Sequence, residues 1–391
     1  MTLTSNSFDF LLKFKCTGGE CPDTCCKSWN MQIDDKTINL YKEKAPDLLD
    51  SVTENSSNEY IMRRDTQTGF CVRFSDGLCG IQNKYGEDYL GDACNFYPRA
   101  IKKIGNDVVA TATLSCPEIA RLALFDKDAF NKKKMQIAKL PYSVKNYLPE
   151  QLSEVQANEI HNIFLNEALS ETTSPEHKIM RMIVVCESLE RISVSSWHDA
   201  VPFYFEHADS GIPNPERKES DQVLLLQSLC GLVFAAKKLG DNRLMQTIET
   251  IEEALHVTIR RDNLMIAALP DSVNAVINLI EKWNNSVKEN FSEILSRYLA
   301  MQLSLAFFPF SGFGEKLTER ITIIGIRFAT IRLALASAYQ KNGKMPDESE
   351  IIRIIQSLSR FMDHLGDAEF SLKIYEETGW LKKERFMGLI R

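Results

Sequence analysis

Eight cysteines lie within the first 116 residues of this 391-residue chain, and only Cys186 and Cys230 follow them. The run CTGGECPDTCC at 16–26 supplies four of the eight with the spacing C-x4-C-x3-C-C, and four more follow with the spacing C-x7-C-x14-C-x21-C. The eight are Cys16, Cys21, Cys25, Cys26, Cys71, Cys79, Cys94 and Cys116. In a reducing compartment, thiols at this density indicate metal binding rather than disulfide bonds.

Any metal site in this region must consist mostly of thiolates, because the first histidine of the chain is His161. An all-thiolate site is typical of zinc or of an iron–sulfur cluster. The region lacks the paired Cys-x2-Cys knuckles of structural zinc, and its irregular spacing favours a cluster, with zinc as the alternative. The side chains of Cys25 and Cys26 point in different directions, so we expect only one of the two to bind a given metal.

The sequence lacks the common motifs for S-adenosylmethionine or nucleotide binding. Cys21 and Cys25 begin the C-x3-C-x2-C pattern of radical enzymes, but Ser28 occupies the position of the third thiol. No G-x-G-x-x-G turn follows a predicted strand, and no P-loop is present. The cysteines therefore do not form a radical-enzyme signature, and no standard Rossmann domain is predicted.

The elements that must position these thiols differ between the two parts of the chain. Residues 1–130 are predicted to form an irregular cysteine-rich metal-binding module, and residues 131–391 an α-helical domain, with a junction at 130–143. Ser174 and Pro175 are typical of a helix start, and the apolar residues up to 193 fall on one helical face. The segment 346–366 also begins with proline and acidic residues and continues with an apolar stripe, which predicts a second helix. The predicted fold class is mainly α, with the module packed on a larger helical bundle.

Composition and charge exclude some classes of function. The net charge of -7 argues against nucleic acid as the main partner. The apolar segment 223–236 is too short to span a bilayer, and the segment 321–338 carries Arg327 and Arg332, so both are predicted to be buried helices rather than membrane insertions. The N-terminus lacks the pattern of a signal peptide, which predicts a cytoplasmic protein.

The N-terminal region resembles the bacterial flagellin lysine-N-methylase family. The resemblance lies in FKCTGGECPDTCCKSWNMQIDDKTINLY at 14–41, FCVRFSDGLCGIQ at 70–82, CNFYPRA at 94–100 and LSCPEIAR at 114–121. All eight N-terminal cysteines fall on the family's pattern, as does Trp29. The order of Cys79, Cys94 and the following Pro-Arg is also similar to the wider group of CxxCxxCC zinc- or iron-chelating proteins. The helical half of the chain resembles the family more loosely.

The resemblance implies an enzyme that methylates lysine ε-amines of flagellin in the cytoplasm. It implies S-adenosylmethionine as the methyl donor and a [4Fe-4S] cluster held by the N-terminal cysteines. The runner-up interpretation is a non-catalytic zinc- or iron-binding, redox-responsive protein-interaction module. The large helical body favours the enzyme, whereas the missing donor-binding motif favours the module.

Methyl transfer to lysine requires a neutral amine, so a carboxylate or a tyrosine near the thiols is a candidate proton acceptor. Asp34, Tyr41 and Asp92 are these candidates by their position in the sequence. Arg99 is a candidate to hold the donor's carboxylate or to offset the charge of a thiolate cluster. His364 is interpreted as a favourable charge at a helix C-terminus.

Overall fold

The computed structural model describes most of the chain. The described residues are 3–27, 30–55, 57–142, 144–213, 225, 229–234, 236–237, 240–259, 269–286, 288–364, 368–377 and 379–390. Ser28 and Trp29 lie outside them, as do residues 214–222 and part of the helix predicted at 223–236.

A four-stranded sheet forms the centre of the N-terminal part, with the strand order β6-β7-β1-β8. β6 and β7 form an antiparallel hairpin, β7 runs parallel to β1, and β8 pairs antiparallel with β1 from Leu3↔Ile137 to Phe8↔Lys132. Two short hairpins, β2–β3 and β4–β5, lie outside this sheet. The strands are β1 (Leu3–Phe8), β2 (Val52–Glu54), β3 (Tyr60–Met62), β4 (Phe74–Ser75), β5 (Leu78–Cys79), β6 (Arg99–Ile104), β7 (Asp107–Ala112) and β8 (Lys132–Ile137).

Helices make up most of the rest. The N-terminal part contains α1 (Asp9–Lys13), α2 (Asp35–Lys44), α3 (Gly80–Tyr85), α4 (Asp92–Phe96) and α5 (Pro117–Phe125). The bundle contains α6 (Glu154–Leu169), α7 (Pro175–Leu189), α8 (Trp197–His207), α9 (Asn242–Leu255), α10 (Leu269–Ser286), α11 (Lys288–Ala306), α12 (Leu317–Asn342), α13 (Glu348–Met362), α14 (Ala368–Glu377) and α15 (Lys383–Ile390). Short 3-10 turns lie at Gly18–Glu20, Pro46–Ser51, Glu87–Tyr89, Val194–Ser196 and Ala208–Gly211.

The starts of the two helices singled out in the sequence have capping side chains. The hydroxyl of Ser174 accepts a hydrogen bond from the backbone N–H of His177, with Pro175 in the first turn of α7. The carboxylate of Asp347 accepts from the backbone N–H of Glu350 at the start of α13. Such caps satisfy backbone donors that a helix leaves unpaired at its first turn. The predicted helices at 174–193 and 346–366 are therefore confirmed, with α13 ending at Met362.

The helix α12 is the central element of the bundle. It is long and apolar enough to cross a membrane, but 94% of its most apolar window is buried inside the protein. Arg332, in the middle of α12, lies opposite Glu176 and donates to the carbonyls of Leu389 and Ile390. A helix that is apolar on all sides and contacts neighbours on all sides is a core helix, as predicted for the segment 321–338.

The sheet is the main departure from the predicted irregular module. The segment 130–143, predicted as a junction, contains β8, which completes the sheet on the side of β1. β8 carries three consecutive lysines at 132–134, and its alternation of buried and exposed residues is weak, so it has little of the sequence signal of a strand. Its pairing with β1 is a long-range contact that local sequence does not encode. The mainly helical class is confirmed, with this sheet added.

The cysteine-rich part has a small apolar core of its own. Ile33, Ile38, Tyr41 and Met62 are among its buried residues, and the side chains of Cys71 and Cys79 pack against them. A larger core joins the sheet to the helices of the bundle. The segments that carry the thiols are thus fixed by a compact support, which itself adjoins the bundle.

Candidate functional site

One cavity of about 690 Å³ brings together the cysteines of the N-terminal part, which come from segments far apart in the chain. We call it the cysteine cavity. Its lining includes Cys16, Cys21, Cys25, Cys26, Cys71, Cys79, Cys94 and Cys116. All eight carry free thiols. The structure therefore places every cysteine singled out in the sequence at one location.

Local structure fixes the position of each thiol. Cys79 ends β5 and precedes the first turn of α3, Cys94 lies within α4, and Cys116 precedes the first turn of α5. The β4–β5 turn that carries Cys79 contains Gly77 at φ +79°, a left-handed conformation that glycine adopts without strain. The backbone N–H of Cys71 donates to the carbonyl of Cys26 at 2.7 Å, which joins the segment that carries Cys71 to the cysteine-rich run 16–26.

Seven of the eight thiols fall into two sets by the charges that act on Cys94 and on Cys116. Burial raises the pKa of Cys94, and the charges of Cys26, Cys79 and Cys71 raise it further. Burial also raises the pKa of Cys116 to about 12, and the charges of Cys21 and Cys16 act in the same direction. The first set is Cys26, Cys71, Cys79 and Cys94.

The adjacent pair Cys25 and Cys26 is split between different neighbours. The charge of Cys26 acts on Cys94, whereas the charge of Cys25 acts on the phenol of Tyr97. A hydrogen bond with Cys25 and burial raise the pKa of Cys26. Cys25 and Cys26, which the sequence alone does not distinguish, thus have different neighbours in the structure.

The thiols do not converge on a point. Among the described residues, no group of three or more His, Cys, Asp or Glu side chains lies close enough to hold a metal ion. Tetrahedral zinc with Zn–S bonds of about 2.3 Å requires thiolates about 4 Å apart. The cysteines surround a cavity instead, and the metal module predicted from the sequence stays a prediction.

A clamp holds the cysteine-rich loop 16–27 on the helical bundle. The guanidinium of Arg360, on α13, donates to the carboxylate of Asp23 and to the carbonyl of Lys27. Gln356, one turn earlier, donates to the same Asp23 carboxylate at 2.7 Å and to the carbonyl of Ser115 at 3.0 Å. Both side chains of the Asp23–Arg360 ion pair are largely buried. We call these contacts the Asp23–Arg360 clamp.

A second cavity, of about 1230 Å³, adjoins the first. We call it the polar cavity. Residues 96–99, between α4 and β6, line both cavities. The N-terminal part contributes Asp34 and Asp92 to the lining, and the bundle contributes Arg327 and Asp363. The polar cavity is thus built at the junction of the two parts of the chain.

The end of α13 supplies a buried carboxylate to this junction. Asp363, whose side chain is 1% exposed, accepts from the hydroxyl of Thr113 at 2.9 Å. Its other oxygen accepts from the amide of Gln302 and from the guanidinium of Arg327, both at 3.3 Å. A buried charge of this kind is stable only when its oxygens are paired. Asp363 therefore fixes the wall, because both of its oxygens accept hydrogen bonds from neighbouring side chains.

The hydroxyl of Ser115 connects three side chains behind that wall. It lies 2.9 Å from the Nε2 atom of His364, 3.2 Å from the hydroxyl of Tyr97 and 3.1 Å from the hydroxyl of Thr113. Burial lowers the pKa of His364 to about 4. The imidazole is therefore neutral at pH 7, so the predicted helix-end charge at His364 is wrong, because desolvation disfavours the charged form.

Asp34 and Asp92, two of the predicted proton acceptors, are neighbours in the polar cavity. Asp34 caps α2, where its carboxylate accepts from the backbone N–H of Thr37 at 2.9 Å and from that of Asp92 at 3.0 Å. Burial raises the pKa of Asp34, but these hydrogen bonds outweigh it and lower the pKa. Burial raises the pKa of Asp92, and the charge of Asp34 adds to the effect. Of the two, Asp92 is the better proton acceptor.

Tyr41, the third candidate, lies elsewhere. It is fully buried against the cysteine cavity, and its hydroxyl donates to the carbonyl of Tyr89 at 2.8 Å. Burial and the nearby thiols raise its pKa. Its position favours a packing role, because the phenol has a backbone partner and does not line the polar cavity.

Arg99 lies in the wall between the two cavities. Its guanidinium stands over the ring of Phe14, 5.1 Å from the ring centroid. Burial lowers its pKa, and the charges of Glu87, Cys16 and Cys116 oppose that effect. This surrounding suits the predicted role of offsetting thiolate charge better than that of holding a ligand in the polar cavity.

Sequence reasoning missed the side chains that the bundle contributes. Thr113 and Asp363 are 250 positions apart in the sequence, and Asp23 and Arg360 are 337 positions apart. No local pattern links either pair. The only available signal was the polar pair Asp363–His364 directly after a strongly amphipathic helix. From sequence alone, His364 is interpreted as a helix-end charge, and Asp363 has no assigned role.

The helical half matches the family model described as the FliB lysine N-methylase C-terminal domain, over residues 161–387. This range is more than half of the chain. The chain belongs to the FliB lysine N-methylase family. The match includes Gln356, Arg360 and Asp363 and begins at His161, but it contains none of the eight N-terminal cysteines. The family resemblance is therefore confirmed, and the cysteine motif is not tested by this match.

Curated relatives agree with this family. The chain is 25% identical to the Lysine-N-methylase of Salmonella typhimurium (strain LT2) over 196 residues, which are 47% of this chain and 47% of the relative. It is equally similar to the Lysine-N-methylase of Salmonella choleraesuis. It is 30% identical to the Flagellar biosynthetic protein FliU of Salmonella muenchen over 129 residues, 31% of this chain and 76% of that relative. The chain thus matches about half the length of the lysine-N-methylases. No solved structure matches it.

Proposed function

We propose that this protein is a protein-lysine N-methyltransferase that transfers a methyl group from S-adenosylmethionine to lysine ε-amines of flagellin in the cytoplasm. The observation that carries the proposal is the family match at 161–387, because the matched bundle supplies one wall of the polar cavity. The names of the relatives, two lysine-N-methylases and a flagellar biosynthetic protein, support the acceptor and the flagellar substrate.

The polar cavity is the proposed reaction site. Its volume of about 1230 Å³ exceeds that of most small-molecule pockets, so it has room for a donor together with a lysine side chain. Asp34 and Asp92 would attract the lysine ammonium. The amine must lose its proton before it attacks, and removal from water lowers its pKa. Asp92 is the proposed proton acceptor, because the pKa of Asp34 is lowered by its hydrogen bonds.

The transfer itself is a single displacement. The lone pair of the lysine nitrogen forms a bond to the methyl carbon as the bond from that carbon to sulfur breaks. The sulfonium becomes a neutral thioether, S-adenosylhomocysteine, and the ammonium proton passes through Asp92 to water. The protein's contribution is to orient the two reactants and to exclude solvent.

The cysteine cavity is proposed to hold a [4Fe-4S] cluster, with zinc as the alternative. The donor set fits such a group: eight soft thiols line a space of about 690 Å³, and burial raises the pKa of Cys71, Cys94 and Cys116 among them. Cys26, Cys71, Cys79 and Cys94 would bind it, since the first three are the thiols whose charges act on Cys94. When bound, a cluster would supply redox-sensitive charge and cross-link the loops. Arg99 would balance part of that charge.

The test is a reaction of anaerobically purified protein with S-adenosylmethionine and purified flagellin, followed by mass spectrometry of the flagellin peptides. Methylated lysines in the complete reaction, and none without donor, are expected. Unmodified flagellin lysines in the presence of protein with intact cofactor would contradict the proposal. Iron and acid-labile sulfide analysis of the same sample tests the cluster, and zinc without sulfide would refute it.

A further inference from the structure

Lys102 is a lysine of the polar cavity without an acidic partner. It lies on β6 and lines the cavity beside Ser311 and Tyr147. Its ammonium is 3.5 Å from the hydroxyl of Ser311 and 4.6 Å from the centroid of the Tyr147 ring. Across the described ranges of the chain, no carboxylate forms an ion pair with Lys102.

Two of the four arginines that line the same cavity, Arg327 and Arg320, are already paired. Arg327 donates to Gln302 and Asp363, and Arg320 donates to the carbonyls of Pro309 and Gly314. Lys102 has three N–H donors and one long hydrogen bond. Of these three cations, it has the most capacity to bind an anionic ligand.

The surroundings of Lys102 leave its charge uncompensated. Burial and, to a smaller extent, the nearby charge of Lys145 lower the pKa of Lys102 to about 8. A half-buried ammonium that faces a cavity with no counter-charge is costly, and this cost is removed when a carboxylate binds next to it. A bound carboxylate is thus the ligand class that this position favours.

Two reactants would share the cavity, and their charges differ. The acceptor brings a lysine ammonium, which is attracted to Asp34 and Asp92 on the N-terminal side. The methyl donor is the reactant that necessarily carries a carboxylate, on its amino-acid end. A carboxylate at Lys102 would therefore belong to the donor.

We infer that Lys102 binds the α-carboxylate of the methyl donor in the polar cavity. This inference rests on the proposed function, because it takes S-adenosylmethionine as the donor. It assigns Lys102 the binding role that the sequence predicts for Arg99, which lies in the wall between the two cavities and stands over the ring of Phe14.

The test compares two ligands that differ in the carboxylate alone, S-adenosylhomocysteine and its decarboxylated form S-adenosyl-3-thiopropylamine. Calorimetric titration of the full-length wild-type protein is expected to show about 10- to 100-fold tighter binding of S-adenosylhomocysteine, the range for a hydrogen bond to a charged group. Lys102→Met is expected to abolish this ratio by weakening only the ligand with the carboxylate. Lys102→Arg is expected to retain part of it.

Lys103→Met is the matched control, because Lys103 is the next residue on the same strand and does not line the polar cavity. It should keep the wild-type ratio. Lys102→Gln, which keeps a polar side chain, serves as a second neutral variant if Lys102→Met does not fold.

Three outcomes would overturn the inference. If the neutral variants keep the wild-type ratio, the carboxylate binds elsewhere, while the proposed function stands. If the neutral variants keep the ratio but lose methyl transfer, Lys102 takes part in proton transfer rather than in binding the carboxylate. If the wild-type protein binds neither ligand, the proposed donor is wrong and the inference is lost with it.

Discussion

Asp34 and Asp92 show how two identical side chains acquire different properties within one cavity. The carboxylate of Asp34 accepts backbone hydrogen bonds from Thr37 and from Asp92 itself, which stabilise its charged form. Asp92 lies beside that charge and is partly withdrawn from water, so its pKa is raised. Hydrogen bonding favours the ionised form of one acid, and desolvation with a like charge favours the neutral form of the other.

Asp92→Asn is expected to lower kcat for flagellin methylation by about a hundredfold, the low end of the contribution of a positioned general base. The amide keeps the shape of the side chain and can still accept from the backbone N–H of Tyr142, so folding should be retained. Steady-state rates at saturating donor measure the effect. Asp50→Asn, at an exposed position, is the control. Equal rates for the two variants would rule out Asp92 as the proton acceptor.

Cys94→Ser is expected to remove most of the bound iron and labile sulfide, because Cys94 lies among the thiols of Cys26, Cys71 and Cys79. Cys186→Ser is the matched control, since Cys186 is a fully buried core residue of α7 outside the cysteine cavity. Iron, zinc and sulfide per chain and the visible spectrum measure the result. Normal metal content in Cys94→Ser would show that the set of ligands is wrong.

The helix α13 is the element that joins the two cavities. Gln356 and Arg360 on this helix hold the cysteine-rich loop, and Asp363 directly after it holds the wall of the polar cavity. Gln356 also donates to the carbonyl of Ser115, the residue that precedes Cys116. The position of one helix thus sets the geometry of both the thiols and the polar wall.

Arg360→Met is expected to lower the free energy of unfolding by about 3–5 kcal/mol, because it leaves the largely buried carboxylate of Asp23 without its ion-pair partner. The loop 16–27 should also open more often in the folded protein, so that Cys21, Cys25 and Cys26 react faster with a thiol reagent. Urea unfolding and alkylation rates followed by peptide mass spectrometry measure the two effects.

The control for this prediction is Arg353→Met on the same helix. Arg353 is also partly buried, but it contacts Thr247 and Glu350 rather than the cysteine-rich loop. Its loss should leave the alkylation rates of the loop thiols unchanged. If Arg360→Met also leaves them unchanged, the clamp does not hold the loop.

Across the whole molecule, the sheet and the bundle share one core, and the polar cavity lies where they meet. His161 belongs to this shared framework. It is a buried residue of α6, and its Nδ1 atom lies 2.7 Å from the carbonyl of Phe308, in the loop between α11 and α12. Burial lowers its pKa to about 4, so the folded protein holds the neutral imidazole.

Stability is therefore expected to decrease as the pH falls from 6.5 towards 4. The unfolded chain binds a proton at His161 in that range and the folded protein does not, which amounts to about 3 kcal/mol at the lower end. Above pH 6.5 the contribution of His161 is constant. Urea unfolding of the wild type and of His161→Gln at pH 7 and pH 4.5 measures the difference, which should be smaller in the variant. His207→Gln, at an exposed histidine, should follow the wild type, and a wild-type-like pH dependence in His161→Gln would contradict the prediction.

The sequence by itself determined the features that depend on neighbours along the chain. Ser174, Pro175 and the apolar stripe specify α7, because caps and helical periodicity are local properties. The all-apolar segment 321–338 specified a central helix for the same reason. The cysteine pattern indicated thiolate chemistry and the family, since residue type and spacing are read directly from the sequence.

Only the tertiary structure decided which residues meet. The sheet depends on the pairing of β1 with β7 and with β8, which are more than 100 positions away along the chain, and the polar wall depends on the contact of Thr113 with Asp363. It also separated Asp92 from Tyr41 as candidates, because desolvation and hydrogen bonding are set by packing. Long-range contacts of this kind arise from the burial of apolar surface shared by distant segments, and no short stretch of sequence specifies them.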